Sequence, residues 1–107
     1  MIGREPVEVI ERQTVESKPL TQLKEPSRFK VVLLNDDYTP MQFVVDVLKH
    51  FFYLTHEAAT QVMLEVHFNG KGVCGVFTRD IAETKVNFVN EYAALHEYPL
   101  LCSMEPE

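Results

Sequence analysis

Two short stretches hold most of the side chains that could do chemistry. Asn35, Asp36 and Asp37 follow an apolar run and lead into a helix start at Thr39-Pro40. Met63, Val66 and His67 lie at i, i+3 and i+4, so on a helix they share one face. Met41 and Val44 share a face of the preceding helix by the same spacing. If the two helices pack side by side, four apolar side chains line a pocket, with Asn, Asp and His at its mouth. Plainer roles fit the same residues. Asn35-Asp36-Asp37 suits a turn and cap, Met63 and Val66 suit an ordinary core, and His67 suits the negative end of a helix. Spacing alone does not decide between them.

Catalysis finds no positive sign. His67 with Asp36 or Asp37 would make a base and its orienting carboxylate. The nucleophile is missing, because the chain holds neither a Gly-x-Ser-x-Gly elbow nor a Cys–His signature. His50, His56, His67 and His96 do not fall at metal-ligand spacing, and no Gly-rich loop would cradle a phosphate. The expectation is a binding protein with no metal and no cofactor.

Composition narrows the partners. The chain has 107 residues, room for one domain, and 46% of them are hydrophobic, enough for a core. Sixteen acidic against ten basic side chains give a net charge of −6, and no run of Lys or Arg offers a phosphate footprint. Nucleic acid is therefore not an expected partner. The apolar stretches are too short to span a bilayer. Met1 to Pro6 lacks the apolar core of a signal peptide. A soluble protein that stays in the compartment where it is made is expected, with no membrane partner. Cys74 and Cys102 each sit in an apolar run and read as buried, reduced thiols.

The elements that must hold the constellation are legible from periodicity. Residues 1–27 are rich in Glu, Lys, Pro, Gln and Thr, lack aromatic residues and keep no period for long. They read as a flexible extension, with a short strand near Val7–Ile10 as the lesser alternative. Residues 28–107 read as the folded domain. Phe29 to Leu34 is a strand. A helix follows with Thr39 as N-cap, Pro40 at N1 and Gln42 at N3. It buries Phe43, Val44, Val47, Leu48, Phe51 and Phe52 and ends near Leu54. Thr55 caps a second helix whose inner face holds Ala59, Val62, Met63, Val66 and His67, stopped by Asn69-Gly70-Lys71-Gly72. Val73 to Phe77 is a strand. A third helix, capped at Thr78 or Asp80, carries the stripe Ala82, Val86, Val89 and Ala93 and ends at His96-Glu97-Tyr98-Pro99. Leu100 to Met104 is the last strand. The order β-α-α-β-α-β predicts a single α+β domain, three helices packed on a small three-stranded antiparallel sheet.

Several blocks closely resemble the ClpS family of bacterial protease adaptors. They are Asn35-Asp36-Asp37-Tyr38-Thr39-Pro40-Met41, Val44 to Leu48, Ala59 to Leu64 with Val66-His67, Gly70 to Phe77, Ala82 to Val86, and Pro99 to Cys102. The likeness runs from about Phe29 to Cys102 and leaves out the N-terminal extension. It implies a cytoplasmic, non-catalytic adaptor for N-degrons, proteins whose first residue is Leu, Phe, Tyr or Trp; a monomer is expected from a fold that one chain can close. Such adaptors dock on the N-terminal domain of the ClpA unfoldase, which feeds the ClpP peptidase. The runner-up is a similar module that binds a partner protein without reading N-termini.

Carried over by residue, the resemblance gives Asn35, Asp37 and His67 to the α-amine, with Asp36 beside them. The side-chain pocket becomes Leu34, Thr39, Met41, Val44, Met63, Val66 and Leu100. The ClpA-facing surface becomes Glu83, Thr84 and Lys85 with Asp80, which stands where some members carry Glu. Glu83 and Lys85 are expected to face solvent, because the core stripe runs through Ala82 and Val86. The chemistry suits this task. A free α-amine, with a pKa of about 7.7–8.0, is mostly an ammonium at neutral pH. An Asn oxygen, an Asp carboxylate and a neutral His nitrogen match its three donors, a set that an internal peptide N–H does not fill.

Overall fold

The computed structural model describes residues 26–107. The strand considered near Val7–Ile10 and almost all of the N-terminal extension lie outside the described residues. The expected order of elements is the observed one: β1 Arg28–Leu34, α1 Met41–Phe52, α2 His56–Asn69, β2 Lys71–Thr78, α3 Arg79–Leu95 and β3 Leu101–Pro106. The strands form one antiparallel sheet in the order β2-β1-β3.

Alternation along β1 gives the sheet two unequal faces. Val31 and Leu33 point into the core shared with the helices, together with Phe43, Val47, Leu48, Ala59, Met63, Val89 and Cys102. Lys30, Val32 and Leu34 point the other way. Their neighbours in register on β3 are Glu105, Ser103 and Leu101, and on β2 Leu34 faces Lys71. Lys71 and Glu105, on the two edge strands, are joined by a 2.7 Å ion pair. The register slips between Val31 and Val32, which leaves Cys74 as the extra residue of a bulge with its side chain buried. Burial pushes the Cys102 thiol up to about 12. It raises Cys74 further still, helped by the nearby Cys102. Both thiols are free, as the sequence predicts.

Helix ends depart from expectation where side chains compete for the same backbone groups. Pro40, not Thr39, is the N-cap of α1, and no side chain caps it. The Thr39 hydroxyl donates to Asp36 instead, and Gln42 turns forward to Asp46 rather than back to the cap. The helix stops at Phe52 because Tyr53 turns left-handed, with φ 57°. Thr55 caps α2 as expected, accepting from the Ala58 N–H at 3.1 Å. Of the four residues expected to stop α2, Gly70 alone does so, at φ 86°. Lys71 and Gly72 already belong to β2. Thr78 is the cap residue of α3, and Asp80 lies in the first turn.

Gly72 sets how closely α2 lies on the sheet. A Cβ there would meet Val66 Cγ2 at 2.7 Å and the Val62 carbonyl oxygen at 3.0 Å. On the far side of the fold α3 is fastened to β3 by Asn90. Its side chain donates to the Cys102 carbonyl at 3.0 Å and accepts from the Cys102 N–H at 2.8 Å.

Candidate functional site

β1 delivers Asn35 to the end of α2. The Asn35 N–H donates to the Gly70 carbonyl at 2.9 Å, while the Gly70 N–H donates to Val66 at 3.0 Å. One left-handed glycine thus ties the loop that carries Asn35, Asp36 and Asp37 to the helical turn that carries Val66 and His67. The next turn of the loop is held by Asp36. One of its carboxylate oxygens accepts from the N–H groups of Tyr38 and Thr39, each at 2.8 Å, and the other from the Thr39 hydroxyl at 2.8 Å. Partial burial works against ionisation of Asp36. The Thr39 hydroxyl and the two N–H groups outweigh it and hold the carboxyl below its ordinary value.

Between this loop and the facing helices lies a hollow of about 230 Å³ lined by Asn35, Asp36, Asp37, Thr39, Met41, Val44, Met63, Val66 and His67. It is smaller than the roughly 300–1,000 Å³ of pockets that take drug-sized ligands. Its floor is apolar, with Val44, Met63 and Val66 buried, and its mouth is polar, with Asn35, Asp37 and His67 exposed. Met41, 46% exposed, stands at the edge. The His67 side chain lies outside the core rather than on the inner face of α2, and the Phe68 ring packs edge-on against it at 4.8 Å.

Nine sequence-predicted residues therefore converge, and two do not. Leu34 sits on the outward row of β1, opposite Lys71 and Leu101. Leu100 is buried in the core, 4% exposed. Asp36 is in the lining, but all its hydrogen bonds among the described residues go to its own loop. It fastens the mouth, where the Asn35, Asp37 and His67 side chains are exposed.

A second hollow of about 460 Å³ runs between the end of α1 and α3, lined by His50, Phe51, Tyr53, Asp80, Ile81, Thr84, Lys85 and Phe88. The sequence reading named Asp80, Thr84 and Lys85 here and missed the apolar walls. A signal was present: Ile81, Thr84, Lys85 and Phe88 fall at i, i+3, i+4 and i+7, a second face of α3 flanking the core stripe. Glu83 is exposed and pairs with Arg79 at 3.2 Å. Lys85 corrects the expectation of a solvent-facing charge. It is half-buried, and its Nζ donates to the Phe51 carbonyl at 2.7 Å. Among the described residues no three His, Cys, Asp or Glu side chains cluster as metal ligands. No described helix is long and apolar enough to cross a membrane.

Comparison with known proteins gives the family. Residues 24–103 match the family model of the ATP-dependent Clp protease adaptor protein ClpS. The chain belongs to the ClpS family. Relatives named ATP-dependent Clp protease adapter protein ClpS, from Enterobacter sp. (strain 638) and Alkalilimnicola ehrlichii, are each 58% identical over 93 residues. The match covers 87% of this chain and 88% and 86% of those relatives, respectively. Among solved structures, Agrobacterium tumefaciens ClpS2 bound to L-phenylalaninamide superposes with a TM-score of 0.76 at 42% identity, covering 78% of this chain and 100% of that one. Membership makes this chain a Clp protease adaptor and not an enzyme.

Proposed function

We propose that this ClpS-family adaptor captures the free N-terminus of proteins that begin with Leu, Phe, Tyr or Trp and hands them to the ClpA unfoldase for degradation by ClpP. The observation that carries the reading is one small hollow whose floor is Val44, Met63 and Val66 and whose mouth is Asn35, Asp37 and His67. An N-terminal residue has the matching halves, an ammonium with three donors and a side chain on the same carbon. Asn35 and Asp37 accept from the ammonium, and His67 does so through a neutral ring nitrogen. Burial of one large side chain on the floor contributes on the order of 1.5–3 kcal/mol before ordering costs. Binding of L-phenylalaninamide by the Agrobacterium relative supports the reading, since that molecule is a Phe residue with a free α-amine and a blocked carboxyl.

The same reading makes the α1–α3 groove, with Asp80, Glu83, Thr84 and Lys85 on or beside it, the surface that docks the ClpA N-terminal domain. It makes the protein a cytoplasmic monomer. Buried aromatic anchors supply most of the energy at such interfaces and rim charges chiefly set association rate, so Ile81 and Phe88 carry the docking and Glu83 tunes it. The test is a titration with peptides that differ only in the first residue, run beside ClpAP degradation of proteins with the same first residues. The reading requires Leu, Phe, Tyr and Trp to bind and to be degraded in an adaptor-dependent way. Indifference to the first residue would leave a protein-interaction module that does not read N-termini.

A further inference from the structure

The small hollow is backed by a stretch of chain that belongs to no helix or strand. Leu100 is the last residue before β3. It is 4% exposed and shares one core cluster with Val44, Met63 and Val66, the floor of the hollow. Leu34 and Leu101 are the last pair of the β1–β3 register, so Leu100 falls level with Asn35, at the end of the sheet where the hollow lies. Alternation puts it on the helix-facing row with Cys102.

Two anchors hold this stretch, and α3 supplies both. The first is the end of the helix. Glu97 turns left-handed at φ 63°, the Tyr98 N–H donates to the Ala93 carbonyl at 2.9 Å and the Glu97 N–H to the Ala94 carbonyl at 2.9 Å. The Tyr98 ring then packs on Phe43 with centroids 4.7 Å apart. The second anchor is Asn90. Cys102 stands opposite Leu33 in the register, yet its N–H donates to Asn90 Oδ1 at 2.8 Å and its carbonyl accepts from Asn90 Nδ2 at 3.0 Å. One side-chain amide thus takes the place of a neighbouring strand at the outer edge of β3. Cys102 is 1% exposed, so losing the amide strands two buried backbone groups.

We propose that Asn90 is a positioning residue for the size of the captured side chain. It fixes the start of β3, which holds Leu100 behind the floor, and the depth of the hollow follows. The proposal rests on the reading of the hollow as the receptor for an N-terminal side chain. A hollow of about 230 Å³ is shallow, so a floor that yields admits larger side chains while fitting smaller ones less closely. Asn90 does not line the hollow, and its influence passes through Leu100.

The test measures affinity for Leu-, Phe- and Trp-initiated peptides. It compares the wild-type full chain with Asn90→Ala, Asn90→Asp, Leu100→Ala and the Asn90→Ala/Leu100→Ala double variant. Val89→Ala is the control, since Val89 is the fully buried neighbour of Asn90 on α3. Its truncation costs stability but leaves the Asn90 side chain in place. Leu100→Ala should raise the ratio of Trp to Leu affinity by about tenfold. Asn90→Ala should move the ratio the same way, and should move it no further when added to Leu100→Ala. Asn90→Asp keeps the acceptor for the Cys102 N–H and should fall between wild type and Asn90→Ala. Val89→Ala should lower the melting temperature and leave the ratio alone. In the wild type, the Leu100 methyl resonances should shift when the Trp-initiated peptide brings its ring onto the floor. An unmoved ratio in Asn90→Ala, an equal change in Val89→Ala or additivity with Leu100→Ala would overturn the proposal. Unshifted Leu100 methyls in the wild type would overturn it as well, and that measurement stands even if the Asn90 variants fail to fold. A wild type that binds none of the peptides would sink the receptor reading and the proposal with it, whereas binding with an unmoved ratio sinks the proposal alone.

Discussion

The hollow between the β1–α1 loop and α2 measures about 230 Å³ and has a polar mouth, whereas the groove between α1 and α3 measures about 460 Å³ and has aromatic and aliphatic walls. Short hydrogen bonds build the first. Gly70 joins the loop to α2, and three bonds to Asp36 fix the loop's turn. Exposed and half-exposed side chains build the second, among them Tyr53, Ile81 and Phe88, with the Lys85 ammonium beside Tyr53 and the Phe51 carbonyl. The difference suits the two tasks proposed for them. A chain end offers one charge and one side chain, so its receptor must hold acceptors in place before binding. A protein partner offers an extended surface, against which apolar side chains can adjust. The small hollow should therefore fail sharply when one group is moved, and the groove should fail gradually.

The largest effect should come from His67→Ala, which removes an acceptor at the mouth. It should weaken binding of a Leu- or Phe-initiated peptide by about 1–3 kcal/mol, the usual cost of stranding the partner of a buried polar group. Fluorescence anisotropy with a labelled peptide measures this, and an unchanged affinity would take His67 out of the site. Gly72→Ala tests whether the spacing of α2 from the sheet matters. The added methyl would press on Val66 Cγ2 at 2.7 Å and on the Val62 carbonyl at 3.0 Å. Overpacking of that kind costs about 1–3 kcal/mol. Thermal unfolding should show the loss. Peptide affinity should fall further than ClpA docking, because Val66 belongs to the hollow and not to the groove.

Asp36 offers a finer cut. Asp36→Ala should lower peptide affinity by about 1 kcal/mol, as the loss of a capping side chain does, although Asp36 need not touch the ligand. Asp36→Asn should recover part of it, since its carbonyl oxygen can still accept. The pH dependence has a defined sign. The folded carboxyl is held below its ordinary value, so its contribution to stability is present above that value and lost as pH falls through the folded one. Melting curves in acid should show wild type losing more of its advantage than Asp36→Asn. Parallel curves would mean that the loop does not depend on the charge.

The smallest change expected is one of selectivity. Met41 stands half-exposed at the edge of the hollow, where a side chain branched at Cβ would meet it. Met41→Ala should admit Ile- and Val-initiated peptides with little loss for Phe. A peptide panel measures the preference, and an unaltered ratio of Ile to Phe would place the gate elsewhere.

The order of elements and most of the hollow were readable before any coordinates, and for physical reasons. Helical periodicity places Met63, Val66 and His67 together, and the left-handed Gly70 marks where α2 must end. Asn35 is placed by strand length alone. The reading failed where competition between local partners decides. The Asp36-x-x-Thr39 spacing fits a side-chain turn as well as a helix cap, and three hydrogen bonds to one carboxylate outweigh the single bond that a Thr39 cap offers. Leu34, which the family resemblance assigns to the pocket, does not line the hollow, because it lies on the row of β1 that faces away from the helices. Lys85 was read from its own helix, which cannot reveal that the end of α1 brings a carbonyl and two rings to it. The apolar walls of the groove were overlooked because the core stripe of α3 drew the reading, although Ile81 and Phe88 keep the same period one face away.

The central claim is that a charged chain end is what the mouth of the small hollow recognises. It is tested most directly by titrating the protein with a Phe-initiated peptide and with the same peptide acetylated at its N-terminus. Acetylation removes the positive charge and two of the three donors while leaving the side chain intact. The account predicts that the free peptide binds and that the acetylated twin binds at least tenfold more weakly. Equal affinity for the two would contradict it.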